Sequence, residues 1–247
     1  MMAGRNDLIA LSAVELRRLI ETRQVSPVEL LEACIARIEA VNPFVNAVTA
    51  TCFDRARAEA RAAERAVMEG RPLGLLHGLP MGVKDLEATE GLLTTLGSPL
   101  YRDHVPTADN VLVARLRAAG AIVVGKTNVP ELGAGANTRN GVWGATGNPF
   151  NPRLNAGGSS GGSAVALATG ECWLADGSDL GGSLRTPAAF CSVVGLRPSL
   201  GRVPAGPSLT PFQTLAVAGP MGRDVRDTAL MLDAMAGFEA RDPLSYP

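Results

Sequence analysis

The chain has 247 residues, 46% hydrophobic and 19% charged, and 23 basic against 24 acidic residues leave a net charge of −1. That length can bury one large core, and so even a charge gives no electrostatic footprint for nucleic acid or an anionic membrane surface. Charged residues interrupt residues 1–19, against a signal peptide, and no run nears the roughly 18 apolar residues of a spanning helix, so a cytoplasmic protein is expected.

Residues 1–70 read as a helical lead-in. Ser12 and Glu15 fit a capping box ahead of Leu16, Leu19 and Ile20. Ser26-Pro27-Val28-Glu29 is a stronger helix start, with Pro at the first helical position, and Leu30, Leu31, Cys34, Ile35 and Ile38 follow at helical spacing. Asn42-Pro43 is expected to end that helix. An Ala-rich, charged third helix over 55–68 stops at Gly70.

After residue 72 glycine, short apolar runs and helix starts alternate. Strands are expected over 79–86, carrying Lys84, over 121–124 and over 172–175. Helices are expected over 109–119, closed by Gly120, over 164–168, over 187–191 and over 224–236, closed by Gly237. Alternating strands and helices give an α/β class with a mixed β-sheet core covered by helices. The last seven residues read as a connecting loop, so a single domain, 1–247 with its core over 71–247, is expected to be incomplete at the C-terminus. Cys34, Cys52, Cys172 and Cys191 form no CxxC pair and read as reduced, mostly buried thiols.

Three patterns mislead. Gly120 to Thr127 matches a P-loop, but the intervening Ala-Ile-Val-Val wants to be strand, not a phosphate-wrapping turn. Gly157-Gly158-Ser159-Ser160-Gly161 matches a nucleophile elbow, yet a poor strand precedes it and no histidine follows. His77 and His104 lack partners at metal-ligand spacing, so no metal and no cofactor is expected; His77 reads as a hydrogen-bonded structural residue and His104 as a surface one.

Two Gly/Ser-rich segments carry the chemistry, 157–164 and 177–185. Each is embedded between apolar stretches, which fits a flexible linker poorly. Buried glycine-rich backbone with free N–H donors beside a serine is what an oxyanion site needs. These segments and Val83-Lys84-Asp85 resemble the amidase signature enzymes over nearly the whole chain, together with Leu76-His77-Gly78-Leu79-Pro80, Gly125-Lys126-Thr127-Asn128, Gly147-Asn148-Pro149 and Val194-Gly195-Leu196-Arg197-Pro198. The resemblance implies that Ser183 is the nucleophile, Ser159 the bridging residue after a cis peptide bond, and Lys84 the base. It implies oxyanion donors at the backbone N–H groups of Leu180, Gly181, Gly182 and Ser183, and backbone contact with substrate at Gly133 and Ser159.

The residue types fit those roles. A serine hydroxyl needs a neighbouring base, and lysine serves only if burial lowers its pKa from about 10.4 by roughly three units. The expected activity is hydrolysis of a carboxylic amide through an acyl-enzyme. The alternatives are the glutaminase component of a tRNA-dependent amidotransferase and an inactive fragment. The expected partner is a small-molecule amide, with no nucleic acid bound directly and no membrane; a homodimer is left open. Asp179 and Arg185 read as a structural ion pair beside the nucleophile. Asp176 departs from the resemblance, and the sequence assigns it no role.

Overall fold

The computed structural model describes residues 5–206 and 210–247; the first four residues of the segment read for a leader lie outside them. Helices α1 (Arg5–Ala10), α2 (Ala13–Glu21) and α3 (Pro27–Val45) lead into β1 (Val48–Thr51) and α4 (Phe53–Met68). Then come β2 (Pro80–Lys84), α5 (Val111–Ala118), β3 (Ile122–Thr127), a small hairpin of β4 (Arg139–Asn140) and β5 (Gly144–Ala145), α6 (Gly161–Ala168) and β6 (Leu174–Asp179). The chain continues through α7 (Arg185–Cys191), β7 (Val194–Gly195), β8 (Val217–Gly222) and α8 (Val225–Met235). Among the described residues no helix is long and apolar enough to cross a membrane.

Local chemistry sets the helix starts. Ser12 accepts from the Glu15 N–H, and Glu15 returns a carboxylate to the Ser12 N–H at 2.9 Å, a complete capping box. Ser26 caps α3 by accepting from the Val28 N–H, with Pro27 at the first turn. That helix does not stop at Asn42-Pro43, as the sequence led us to expect, but runs to Val45. Pro43 is exposed in the last turn, and so is Glu39, whose carbonyl would have taken the missing N–H, so the lost bond falls on the solvent side, where it costs least. The exit is built by Asn46 at φ 53° and by the Asn42 side chain, which accepts from the N–H groups of Ala47 and Val48.

That exit delivers β1, so the lead-in is not purely helical: β1 pairs antiparallel with β3 inside the main sheet. The sheet has six strands in the order β1–β3–β2–β6–β8–β7. Its centre, β3–β2–β6, is parallel; β8 and β7 extend it antiparallel. All of β3 is buried through Gly125-Lys126-Thr127, which makes the apparent P-loop a strand from Ile122 onward. Lys126 turns its amine to the Glu87 carbonyl and to Thr89 Oγ1 at 2.9 Å. β6 runs four residues beyond its expected end, through Gly177-Ser178-Asp179.

Lys84 therefore sits at the C-terminal end of a central strand, and β6 ends beside it. The carboxyl ends of parallel strands are where open α/β sheets place their sites. Helix α6 presses on this end of the sheet: Ser163 donates to the Asp176 carbonyl and bonds Thr127 Oγ1 at 2.7 Å. The approach needs glycine. A Cβ on Gly162 would lie 2.2 Å from the Asn128 nitrogen and 2.7 Å from the Ala47 oxygen, both main-chain atoms. Gly162→Ala is expected to lower stability by about 3 kcal/mol or more, read as a fall in the urea midpoint.

Candidate active site

Lys84 is 0% exposed. Its Nζ lies 2.8 Å from Ser159 Oγ, 2.8 Å from Ser160 Oγ and 2.9 Å from Ser178 Oγ. Burial pushes its pKa down to about 8, against the upward pull of Asp176, Glu87 and Asp179. An ammonium there has one hydroxyl acceptor for each of its three protons. The neutral amine has two protons and a lone pair, so one hydroxyl must then donate to it. Ser160 already directs its proton at the Ser178 carbonyl, 3.4 Å away, which leaves Ser159 and Ser178 as the donors.

Ser159 and Ser160 lie on the turn into α6, and the Gly158–Ser159 peptide is cis. Ser160 N–H bonds the Ser183 carbonyl at 3.3 Å, tying the two Gly/Ser-rich segments together. Ser183 is half-buried and lines a depression of about 410 Å³ together with Gly133, Gly158, Leu180, Gly181 and Thr186. The expected nucleophile and the expected substrate-contacting glycine thus share one cavity. The expected relay is closed only in part. Lys84 reaches Ser159, but among the described residues no hydrogen bond joins Ser159 Oγ to Ser183 Oγ.

One of the four expected oxyanion donors is engaged elsewhere. Gly182, at φ +119°, gives its N–H to Asp179 Oδ1 at 2.8 Å. The N–H groups of Leu180, Gly181 and Ser183 form no hydrogen bond among the described residues, so the free donors on this turn are three.

Asp179 organises that turn. Its buried carboxylate also accepts from Leu184 N–H at 3.2 Å, from Arg185 Nε at 3.0 Å and Nη2 at 3.1 Å, and from Arg197 Nη1 at 3.0 Å. Burial alone would raise its pKa, but the bonds from Arg185, Gly182 and Leu184 outweigh burial and hold the carboxyl well below the usual carboxylate range. The Asp179–Arg185 lock is as the sequence suggested. Arg197 is an addition: it also holds the Asp179 carbonyl and the Leu215 carbonyl, bracing the turn against the segment before β8. Asp179→Ala would remove the anion that Arg185 and Arg197 share and leave the turn N–H groups of Gly182 and Leu184 without their acceptor. We expect about 3 kcal/mol of destabilisation, seen as a lower Tm accompanied by loss of Ser183 reactivity.

Ser160, Ser178 and Asp176 also meet Lys84, and the sequence assigned none of them a role. Asp176 Oδ1 accepts from the Lys84 N–H at 2.8 Å. The signal for the last two was strand periodicity: with β6 extended to Asp179, residues 176 and 178 fall on one face. His77 is the structural residue expected, its ring nitrogen 3.0 Å from the Ala63 carbonyl, and His104 is exposed.

A family model for amidases matches residues 29–247. An acylamidase from Rhodococcus erythropolis is 46% identical over 237 residues, 95% of this chain and 49% of that protein. One component of the glutamyl-tRNA(Gln) amidotransferase from Thermosynechococcus vestitus is 41% identical over 231 residues, 94% of this chain and 48% of that protein. The crystal structure of a bacterial aryl acylamidase of the amidase signature enzymes superposes with a TM-score of 0.92 at 39% identity, covering 95% of this chain and 49% of that one. The chain spans about half the length of the relatives it matches.

Proposed function

The chain belongs to the amidase family, and from that premise we propose that it hydrolyses a carboxylic amide C–N bond through an acyl-enzyme on Ser183, with Ser159 and Lys84 as the proton relay. The observation that carries this reading is the wholly buried Lys84 amine, held 2.8 Å from the Ser159 hydroxyl at the end of a central strand.

The chemistry follows from that base. With a pKa of about 8, about one Lys84 in ten is neutral at pH 7. The neutral amine takes the Ser159 proton while Ser159 takes the Ser183 proton, and Ser183 Oγ attacks the amide carbon. The relay is complete once Ser183 Oγ stands within hydrogen-bond reach of Ser159 Oγ. The oxyanion is received by the free N–H groups of Leu180, Gly181 and Ser183. The proton then returns from Lys84 through Ser159 to the leaving nitrogen, because an unprotonated amide anion is a poor leaving group. Water, deprotonated by the same relay, attacks the ester and frees the acid, restoring Ser183.

A second reading has its own support in the 41% identical amidotransferase component. There the same relay would hydrolyse glutamine and pass ammonia to a partner. Fluorophosphonate labelling of Ser183, followed by an amide panel that includes glutamine, tests both. Labelling with turnover of simple amides supports the hydrolase. Glutamine turnover that appears only when a second protein component is added supports the amidotransferase. No adduct at any pH overturns the shared mechanism and leaves the inactive reading.

A further inference from the structure

We propose that Asp176 is a positioning residue for Lys84: a buried counter-charge on the adjacent strand that fixes the lysine main chain and governs how readily its amine gives up a proton. The consequence for catalysis rests on the amidase reading above; the linkage itself does not.

Asp176 is 0% exposed. One carboxylate oxygen accepts the Lys84 N–H at 2.8 Å, and the other, Oδ2, is buried without a hydrogen-bond partner. Burying a carboxylate with one idle oxygen is costly. The bond to the Lys84 N–H does not require that cost, since an asparagine oxygen would accept the same proton. What only the carboxylate supplies is negative charge, and strand periodicity sets it on the face of β6 where Ser178, two residues on, meets the Lys84 amine at 2.9 Å.

The charged surroundings are few. The β2 segment presents Lys84 and, beyond it, Glu87; β3 presents Lys126; β6 carries Asp179, and Cys172 lies two residues before its start. Asp85 faces Lys126 and takes both Thr95 bonds. Neither α6 nor β8 carries a titratable side chain. Asp176, Glu87 and Asp179 all pull the Lys84 pKa up, Asp176 most strongly, and Asp179 is in addition paired with Arg185 and Arg197. Burial takes Asp176 up to about 7 and Lys84 down to about 8. Each acts on the other's charge, so the two share one coupled proton equilibrium. The functional result is a compromise: the nearby charge keeps Lys84 a stronger base than burial alone would leave it, and a stronger base draws a hydroxyl proton better once neutral.

Asp176→Asn keeps an acceptor for the Lys84 N–H and removes the charge. The test follows the lysine ε-carbons and aspartate carboxyl carbons by NMR from pH 5 to 10, with Lys84→Met assigning the signal. The Lys84 midpoint is expected to fall by about one pH unit in Asp176→Asn, and the acid limb of Ser183 labelling by a fluorophosphonate should move down with it. A folded Asp176→Asn whose Lys84 midpoint is unmoved overturns the proposal and reduces Asp176 to a strand-register residue. If Asp176→Asn does not fold, the unaltered protein decides: Lys84 and Asp176 must each show the other's inflection, and two independent single-step curves overturn the linkage. Absence of Ser183 labelling in the unaltered protein would refute the amidase reading alone, because the NMR titration needs no turnover.

Discussion

Ser183→Ala is expected to abolish the fluorophosphonate adduct and to lower amide turnover by about 10⁶-fold, the scale seen when a serine nucleophile is removed. Its Tm should stay at the wild-type value. Ser183 is half-buried, its hydroxyl makes no hydrogen bond among the described residues, and its carbonyl, which accepts from Ser160 N–H, survives the substitution. Losses at such positions are usually within about 0.5 kcal/mol. Mass spectrometry of the labelled protein and a thermal melt decide the matter together. An adduct that persists in Ser183→Ala would refute the nucleophile assignment. Finding it on Ser159 would name the replacement, since Ser159 is the hydroxyl in contact with the base. Ser159→Ala gives a useful contrast, because it withdraws one of the three acceptors around Lys84 and should disturb folding as well as reactivity.

What the sequence disclosed, and what it withheld, follows from the range of the interactions involved. Helix starts were legible because their signals are local: Ser12 with Glu15 and Ser26 with Pro27 act within a turn of the residues they cap. β1 was missed because four residues with burial on alternate positions give too short a pattern. β8 was missed because Gly-Pro inside Val217–Gly222 argues against a strand, and pairing with both β6 and β7 overrides that local preference. The end of β6 was set too early for a related reason. Gly177-Ser178-Asp179 has turn composition, yet it pairs with Val217–Gly219 of β8. That error hid Ser178 and Asp176 from the site, since only a continuous strand places both beside Lys84. The pairing of Lys84 with Ser159, 75 residues apart in the chain, lies beyond any local pattern. It was anticipated through family resemblance, not through spacing.

Lys84→Met should lower Ser183 labelling and amide turnover by at least about 10⁴-fold, because it removes the base, and its effect on stability should depend on pH. Methionine fills similar space without a charge, so packing changes little. The amine loses its proton near pH 8 when folded, against 10.5 in its ordinary state. Below pH 8 the fold must either bury the ammonium or release its proton, so the site opposes folding, and this opposition fades between pH 8 and 10.5 as the unfolded chain also becomes neutral. Wild-type stability should therefore gain about 2 kcal/mol more than Lys84→Met between pH 7 and pH 9.5. Subtracting the two proteins cancels the cysteine and tyrosine titrations they share. At pH 7 the outcome is a contest between relief of that penalty and the loss of three hydroxyl contacts, each hydroxyl then lacking a partner worth about 1 kcal/mol; the two nearly balance, so the pH slope, not the absolute stability, carries the information. Urea melts of both proteins at the two pH values measure it. Parallel slopes would mean that Lys84 holds its proton as an ordinary surface lysine does, and an ammonium cannot accept the Ser159 proton.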